Sequence, residues 1–361
     1  MNSHNDSGSV RIRKESLEQA ASKVLQAVGV PKPEADIVSR VLLFADQRGI
    51  ESHGISKLPI YVKRIQDGGV DPKGIPTIIG GKGAVVRIDG KNALGPVGGV
   101  FGMERVIEAA RTHGIGLASV RNSNHFGVTA YYSMMALPQG MIGFAFSNAN
   151  PTVAPWGGKK AMVGTSPLSI AIPSASGLPF VIDMATTTVA RGKIILYARN
   201  RKPLPPGWAL DAEGKETTDP EVALKGLLTP LGGAKGSGLA LVIDILCGML
   251  SGAKYLTDVG HLYTGTDKPQ GIGHLFLALE IEAFLPRKQF LQEMDRYIEK
   301  IHSCPRAEGV ERIYVPGEIE YEAMQRTEKE GVEVSSGTLE ELKQTARMAG
   351  LDPKIFSSSY P

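Results

Sequence analysis

The chain has 361 residues, of which 42% are apolar, and a formal net charge of only +3. This length and apolar content allow a large buried core, and we expect two lobes. The small charge gives no support for a nucleic-acid or membrane-surface partner, and no apolar run is long enough to span a bilayer. Two distant cysteines, Cys247 and Cys304, predict neither a disulfide framework nor a zinc site. The first nine residues are polar and lack the apolar core of a signal peptide. A reducing cytoplasm therefore fits best.

Apolar spacing predicts helices at both ends of the chain and strands in its centre. A capping box of Ser16 and Gln19 precedes the first helix, and Pro33 opens a second that ends at Gly49. Further helices are predicted over 58–66, 100–112, 187–199, 239–250, 286–301 and 339–348. The helix at 239–250 is nearly all apolar and is therefore expected to be buried. Strands are predicted over 84–89, 115–120, 141–147, 168–173, 179–183 and 274–281.

His125 lies in the sequence Arg121-Asn-Ser-Asn-His-Phe-Gly127, between a predicted strand and a helical pattern that begins near Thr129. We expect a polar strand-to-helix turn there, with His125 at its tip and Gly127 relaxing the backbone. An imidazole titrates near neutral pH and is suited to proton transfer, although a surface or capping histidine is the alternative. The remaining histidines are scattered and are interpreted as structural or surface residues: His4, His113, His261, His274 and His302.

The segment Glu51-Ser-His-Gly54 directly follows a predicted helix end, and Lys57 comes one turn later. One hypothesis places Ser52 and His53 near a reacting group, with Lys57 facing a substrate anion. The same pattern also fits an ordinary helix-to-helix turn with a capping serine.

Two later segments have features of ligand sites. The sequence Pro230-Leu-Gly-Gly-Ala-Lys-Gly-Ser-Gly238 opens a helix and offers backbone N–H groups and a lysine to an anion, or else is a flexible loop that lets the helix pack. It is neither a Walker loop nor a Rossmann G-x-G-x-x-G motif. Asp183 ends a predicted strand and either accepts hydrogen bonds from a ribose or amide, or caps the next helix. The chain has no clustered metal ligands and no G-x-S-x-G elbow, so no metal site is expected.

Together these segments resemble the malate/L-lactate dehydrogenase family, whose members bind a nicotinamide cofactor without a Rossmann fold. That family also contains ureidoglycolate and sulfolactate dehydrogenases and a cyclic-imine reductase. The matching pieces occur in the family's order along most of the chain: 52–59, 122–127, 164–168, 182–186, 190–194, 206–209, 217–220, 230–238 and 315–318.

The resemblance implies reversible hydride transfer between NAD or NADP and C2 of a small 2-hydroxy or 2-oxo acid. His125 matches the family's general acid/base histidine, and Ser52 and His53 match the pair that lines the same site. Lys57 and Asn124 are the implied substrate-binding residues. Many relatives have arginine where this chain has Lys57, and lysine keeps the positive charge but lacks the bidentate fork of a guanidinium.

For the cofactor, the resemblance implies contacts with Asp183, Met184, Ala185 and Lys235, and Arg312 is a further candidate. The implied fold is α/β (α+β), with a cofactor lobe built on a largely antiparallel sheet wrapped by helices. This lobe would cover 76–285, with a helical insertion at about 187–256. Helices from 1–75 and 286–361 would form the other lobe and the interface of a homodimer.

The leading hypothesis is a cytoplasmic oxidoreductase acting on oxaloacetate and malate, with pyruvate and lactate as the second pair. Within the same fold, ureidoglycolate, sulfolactate or a cyclic imino acid are alternative substrates. Two hypotheses from other classes are a hydrolase that uses Ser52 with a histidine base, and a passive nucleotide-binding module that has no use for His125.

Overall fold

The computed structural model describes residues 8–357, and most of its strands belong to one central sheet. In chain order the strands are β1 (Ser9–Ile12), β2 (Thr77–Lys82), β3 (Val85–Asp89), β4 (Ile115–Ser123), β5 (Met141–Ser147), β6 (Leu168–Ile172), β7 (Phe180–Met184), β8 (Ala209–Leu210), β9 (Glu216–Thr217), β10 (Leu227–Leu228), β11 (Ile272–Glu280) and β12 (Val332–Ser335).

The central sheet has the strand order β2-β3-β4-β11-β5-β6-β7. Its neighbouring strands are antiparallel except for β3 and β4, which run parallel. A Rossmann fold requires a run of parallel strands, which this order does not provide. The predicted mixed α/β fold with a largely antiparallel sheet is therefore confirmed.

The helices lie around this sheet and at the two ends of the chain. They are α1 (Lys14–Ala27), α2 (Lys32–Gln47), α3 (Leu58–Gln66), α4 (Gly95–His113), α5 (Ala130–Met134), α6 (Arg191–Arg199), α7 (Pro220–Lys225), α8 (Ala234–Asp244), α9 (Arg287–His302), α10 (Glu318–Glu330) and α11 (Ser336–Met348). Two short 3₁₀ turns, Glu51–His53 and Ile55–Lys57, connect α2 to α3.

Helices α4 and α5 cover one face of the central sheet, where Met103 of α4 packs against Val120 and Phe276 of the strands. Helix α4 begins at Gly95, five residues before the predicted start. Its first turns are rich in glycine, which disfavours helices and therefore hid them from the sequence pattern. The structure shows why glycine is needed, since a Cβ on Gly99 would overlap the ring of Tyr132.

Elements from the two chain ends pack together. Strand β1 pairs antiparallel with β12, in register from Ser9 opposite Ser335 to Ile12 opposite Val332. Apolar side chains of α1, α2, α3 and α11 share one core with these strands. This packing agrees with the implied terminal lobe, whose boundaries at residues 75 and 286 stay predictions.

Two further predicted helix starts, those of α1 and α6, are wrong. Helix α1 begins at Lys14 without a side-chain cap, so Ser16 and Gln19 already lie inside it and form no capping box. Helix α6 begins at Arg191 rather than at Thr187, because Thr187 pairs with Pro230 in an isolated β-bridge.

The apolar helix predicted at 239–250 is also not buried as expected. Helix α8 starts at Ala234 and passes into a π-helical turn, Ile245–Met249. Only one side of it packs on the sheet, through Ile243 and Cys247. The other side leaves apolar residues exposed, namely Leu239, Val242, Ile245, Met249 and Leu250. A helix that is apolar all round thus has one face without a partner in the single chain.

Within residues 8–357, no helix combines the length and the apolar character needed to cross a membrane. The same part of the chain has no group of three or more His, Cys, Asp or Glu side chains that could hold a metal ion. His4, interpreted from the sequence as structural or surface, lies outside the described residues.

Candidate active site

His125 follows the end of β4 by two residues and is half-buried. Strand β4 extends to Ser123, three residues beyond the prediction, because Ser123 pairs with Ile272 of β11. Asn122 and Ser123 therefore belong to the strand and not to the turn. Gly127 has a φ of +80°, which confirms that the backbone needs a glycine just after His125.

The imidazole of His125 contacts Tyr61 of α3, a residue that the sequence analysis missed. Tyr61 Oη lies 2.8 Å from His125 Nδ1, and the phenol ring is buried. Burial raises the pKa of Tyr61, so its phenol stays protonated. His125 Nε2 makes no hydrogen bond to the described residues. Tyr61 therefore engages one ring nitrogen and leaves the other for a ligand.

His53 stacks on His125, with ring centroids 5.7 Å apart and an angle of 24° between the rings. Ser52 Oγ lies 2.9 Å from His53 Nδ1. Burial and the nearby Lys57 ammonium lower the pKa of His53 to about 4. Burial and the charges of His53 and Lys57 hold the pKa of His125 well below its ordinary value. The group formed by His53, Tyr61 and His125, the imidazole cluster, thus has neutral rings near pH 7.

A buried carboxyl group positions the Ser52-His53-Gly54 turn. Asp46 Oδ2 accepts the backbone N–H of Ile55 at 2.6 Å, and a Cβ on Gly54 would overlap this carboxyl group. Burial raises the pKa of Asp46 to about 8. Asp46 was not singled out from the sequence, since its role depends on the fold of the turn that follows α2.

Lys57 lies at the rim of the imidazole cluster, where its Nζ donates to Tyr263 Oη at 2.5 Å. Tyr263 belongs to the loop before β11. The same loop provides Gln270, whose Oε1 accepts the backbone N–H of His125 at 3.0 Å. The structure therefore brings Ser52, His53, Lys57 and His125 together from two distant segments.

Asn124 is buried beneath His125. Its amide group donates to Ala93 O at 2.8 Å and to Asn92 Oδ1 at 3.0 Å. Both amide protons are thus used within the protein. These contacts support a role in holding the His125 turn against the Asn92–Ala93 turn, and a contact between Asn124 and the substrate stays a prediction.

His274, interpreted from the sequence as structural or surface, is a buried residue of β11. Its ring nitrogens lie 2.9 Å from Ser147 Oγ and 2.8 Å from Ser123 Oγ. The ring stacks on Phe126, with centroids 4.3 Å apart. His274 therefore supports the residue next to His125 from below.

Asp183, at the end of β7, caps a helix, although not the one that follows it, and a hydrogen bond from a ribose or amide stays a prediction. Its Oδ2 accepts the N–H of Ala130 at 2.8 Å and so caps α5, whereas α6 begins eight residues later. Burial raises the pKa of Asp183 to about 7. Met184 packs against the apolar layer under α8, and Ala185 follows directly after the strand.

The loop 230–238 is fastened to the end of β7, because Leu231 N–H donates to Thr186 O at 2.9 Å. Lys235 lies exposed in the first turn of α8. The end of β7 and this loop, which we call the β7 edge, thus place Asp183, Met184 and Ala185 close to the segment that contains Lys235. The free N–H groups of the α8 N-terminus are suited to an anion.

Arg312 precedes a segment that lies against β7, where Val181 N–H donates to Pro316 O at 2.9 Å. Its guanidinium forms ion pairs with Glu318 and, at 2.6 Å, with Glu322. Since two carboxylates already hold this side chain, binding of a cofactor by Arg312 stays a prediction.

Arg48, at the end of α2, is a charged residue that the sequence analysis missed. It is only 3% exposed, yet its Nε and Nη1 have no hydrogen-bond partner among residues 8–357. Its nearest opposing charges are those of Glu320 and Asp183. Buried donors normally have an acceptor in the protein or in ordered water, so these two atoms can receive a polar group that the described residues do not supply. Nothing in the sequence distinguishes Arg48 from an ordinary helix-terminal arginine.

Comparisons with known proteins agree with this architecture. The sequence model of the malate/L-lactate dehydrogenase family matches residues 12–343. The malate dehydrogenase of Pyrococcus abyssi is 38% identical over 354 residues, which cover 96% of this chain and 97% of that protein. The L-sulfolactate dehydrogenase of Methanocaldococcus jannaschii is 38% identical over 94% of this chain and 98% of its own length.

The solved structure of the sulfolactate dehydrogenase from Methanocaldococcus jannaschii superimposes with a TM-score of 0.91 at 36% identity. It covers 97% of this chain and 100% of that one. The resemblance carried by the sequence motifs is therefore confirmed. The chain belongs to the malate/L-lactate dehydrogenase family and is an oxidoreductase.

Proposed function

We propose that this protein is an NAD(P)-dependent dehydrogenase that interconverts a small 2-oxo acid and the corresponding 2-hydroxy acid. Oxaloacetate and malate are the leading pair, and pyruvate and lactate the second. Ureidoglycolate, sulfolactate or a cyclic imino acid are the alternatives within the fold. The observation that carries the proposal is the imidazole cluster, in which Tyr61 engages His125 Nδ1 at 2.8 Å and leaves Nε2 for the substrate.

His125 is proposed as the group that exchanges a proton with the substrate oxygen. Its neutral ring can accept the proton of a hydroxyl group when a 2-hydroxy acid is oxidised. In the reverse direction the ring must first take up a proton, which the positive charge of Lys57 opposes. A carboxylate bound at Lys57 offsets that charge, so binding of the 2-oxo acid raises the pKa of His125 and favours proton uptake.

Ser52 and His53 are proposed to line the substrate site beside His125, and Lys57 to bind the carboxylate. The contact between Ser52 and His53 could also suggest a hydrolase dyad. No acidic residue contacts the other nitrogen of His53 within residues 8–357, and membership of an oxidoreductase family argues against both the hydrolase and the passive nucleotide-binding module.

NAD or NADP is proposed to bind along the β7 edge. Asp183, Met184, Ala185 and Lys235 would hold it there, with Arg312 as a further candidate. The unpartnered nitrogens of Arg48 and the free N–H groups of the α8 N-terminus support the fit. The chemistry that a nicotinamide supplies when bound is hydride transfer. The protein's own part is to orient the acid and to handle the proton.

The family implies a homodimer whose interface lies on the helices of 1–75 and 286–361, and we propose that the exposed apolar face of α8 is buried in the dimer as well. Its five exposed residues, Leu239 to Leu250, form a contiguous stripe on the outer side of the helix. Val242→Glu places a charge in this stripe, and we expect it to shift the protein from dimer to monomer in analytical ultracentrifugation. A wild-type protein that sediments as a monomer would contradict this part of the proposal.

The activity is tested by mixing the protein with NADH or NADPH and a panel of 2-oxo acids, and following the absorbance of the reduced nicotinamide. We expect oxidation with oxaloacetate or pyruvate. Binding of the cofactor without turnover of any acid in the panel would contradict the proposal.

The proposed location is the cytoplasm, supported by two cysteines that are both unpaired, one buried and one exposed.

A further inference from the structure

Lys57 contacts a tyrosine that none of the motifs includes. Its Nζ donates to Tyr263 Oη at 2.5 Å and lies 5.3 Å from the centroid of that ring. We propose that Lys57 and Tyr263 together bind one carboxylate, the one next to the keto carbon of the substrate, and so replace the fork of an arginine. This inference rests on the proposed function, because it concerns the acid that the enzyme reduces.

Hydrogen-bond accounting supports a paired donor. An ammonium group has no lone pair, so in this contact Lys57 must donate and Tyr263 must accept. The hydroxyl proton of Tyr263 is therefore free for another acceptor, and Lys57 keeps two further N–H groups. Two atoms that can each donate to a ligand, Lys57 Nζ and Tyr263 Oη, thus lie 2.5 Å apart.

The spacing of this pair matches a carboxylate. C–O bonds of about 1.23 Å at a trigonal carbon place the two carboxylate oxygens roughly 2.2 Å apart. Each oxygen can therefore receive one hydrogen bond, from Lys57 and from Tyr263, in the parallel arrangement that a guanidinium gives by itself. A lysine alone offers one point of attachment and does not fix the plane of the carboxylate.

The loop that contains Tyr263 is held in place from below. Arg64 of α3 is buried and donates to three carbonyl groups of this loop: His261 at 3.1 Å, Leu262 at 3.3 Å and Lys268 at 2.6 Å. The Tyr263 side chain itself is 60% exposed. The anchored loop thus fixes the position of a tyrosine whose hydroxyl group is accessible to a ligand.

The same loop reaches both ends of the site. Gln270 holds the backbone N–H of His125, while Tyr263 holds Lys57. A carboxylate bound by Lys57 and Tyr263 is thereby placed in register with the imidazole that serves the adjacent keto group. Orientation of this kind lowers the entropy that must be lost on the way to the transition state.

A double-mutant cycle tests the inference, using Tyr263→Phe, Lys57→Arg and the combination of the two. In the lysine background we expect Tyr263→Phe to raise KM for pyruvate and for oxaloacetate about tenfold, since one hydrogen bond to a charged group is lost. In the Lys57→Arg background the guanidinium supplies both donors, so the same change should raise KM less than about twofold. Tyr255→Phe, at another exposed tyrosine, is the matched control.

Binding of oxamate, a carboxylate that is not reduced, gives a readout apart from turnover. We expect calorimetry to show the same tenfold loss of affinity for Tyr263→Phe. An unchanged KM in that variant, or an equal rise in both backgrounds, would overturn the inference while the wild-type activity still stands. Failure of the wild-type protein to reduce any 2-oxo acid would instead overturn the proposed function.

Discussion

The imidazole cluster and the β7 edge are organised differently. In the imidazole cluster, His125 just after β4 already hydrogen-bonds to Tyr61 of α3 and stacks on His53 of the 3₁₀ turn that follows α2. At the β7 edge the loops are fastened through backbone bonds and Lys235 is exposed. Arg48 at the end of α2, which interacts electrostatically with Asp183, has two nitrogens without a hydrogen-bond partner among residues 8–357. Under the proposed function, the first region would be organised in advance for proton transfer, and the second would be completed by the cofactor. Changes in the first should lower turnover, and changes in the second should lower cofactor affinity.

Removal of the central imidazole gives the largest expected effect. His125→Ala should lower kcat by about 10²–10⁴, the usual contribution of a general acid or base. The measurement is the initial rate of nicotinamide oxidation with saturating 2-oxo acid. Cofactor affinity, measured by fluorescence titration, should stay the same, and an unchanged kcat would remove His125 from its proposed role.

A change in the support of the cluster should have the next largest effect. In Gly54→Ala the new methyl group overlaps the Asp46 carboxyl group and displaces the turn that contains Ser52 and His53. We expect kcat/KM to fall about 10- to 100-fold, because misplacement by about 1 Å has effects of that size. Gly337→Ala is the matched control, since a Cβ there meets no neighbouring atom within 4 Å. Equal activity of the two variants would contradict the steric argument.

Loss of the tyrosine contact should have a smaller effect on the same step. Tyr61→Phe keeps the buried ring but removes the partner of His125 Nδ1. A net hydrogen bond of about 1–1.5 kcal/mol corresponds to roughly a tenfold loss of kcat. If kcat is unchanged while thermal stability falls, Tyr61 supports the fold and does not orient the imidazole.

These differences also explain how much the sequence could predict. The apolar pattern indicated strand β5 and the central position of strand β11. The order of the motifs indicated four site residues that the fold does bring together: Ser52, His53, Lys57 and His125. Helix α10 was missed because it is mostly exposed, with only Glu318 and Ala323 buried, and so has no apolar period. Strand β12 was also missed, because it is four residues long and its partner β1 lies at the other end of the chain.

Within the site, the missed residues act through contacts over long sequence separations. Tyr61 and His125 are 64 positions apart, so the hydrogen bond between them has no local pattern. One usable signal existed, since Lys57 directly precedes the predicted helix 58–66 and Tyr61 lies in its first turn, four residues after Lys57. No sequence pattern could indicate the unpartnered nitrogens of Arg48, because whether a buried donor has an acceptor depends on the folded structure alone.

At the β7 edge, the pH dependence of stability can distinguish the hydrogen bond that Asp183 makes as a cap from the ionisation of its carboxyl group. The pKa of this carboxyl is about 7 in the folded state against 3.8 for the ordinary group, so the folded protein binds this proton more tightly. As the pH rises from about 4 to 7, stability from this group is lost, because the buried carboxyl must ionise. Asp183→Asn keeps an oxygen for Ala130 N–H but has no proton to lose, so it stays neutral at every pH.

We therefore expect the difference in unfolding free energy, Asp183→Asn minus wild type, to be larger at pH 8 than at pH 5. Urea titrations at the two pH values measure it, and groups common to both proteins cancel in the difference. A difference that does not change with pH would show that Asp183 is ionised in the folded protein throughout this range.

The smallest expected effect concerns Lys235, whose ammonium group is exposed to solvent. A solvent-exposed ion pair contributes about 0.2–1 kcal/mol, so Lys235→Gln should raise the Kd for NADH or NADPH only about 1.5- to 5-fold. Because salt screens exposed charges, the ratio of the two Kd values should fall towards one as ionic strength rises. Lys288→Gln, in the exposed part of α9, is the control for a general change in charge. If both variants bind the cofactor at low salt as tightly as the wild type does, the charge of Lys235 does not contribute to cofactor affinity. The segment 230–238 would then bind through its backbone N–H groups, whose positions are set by the fold.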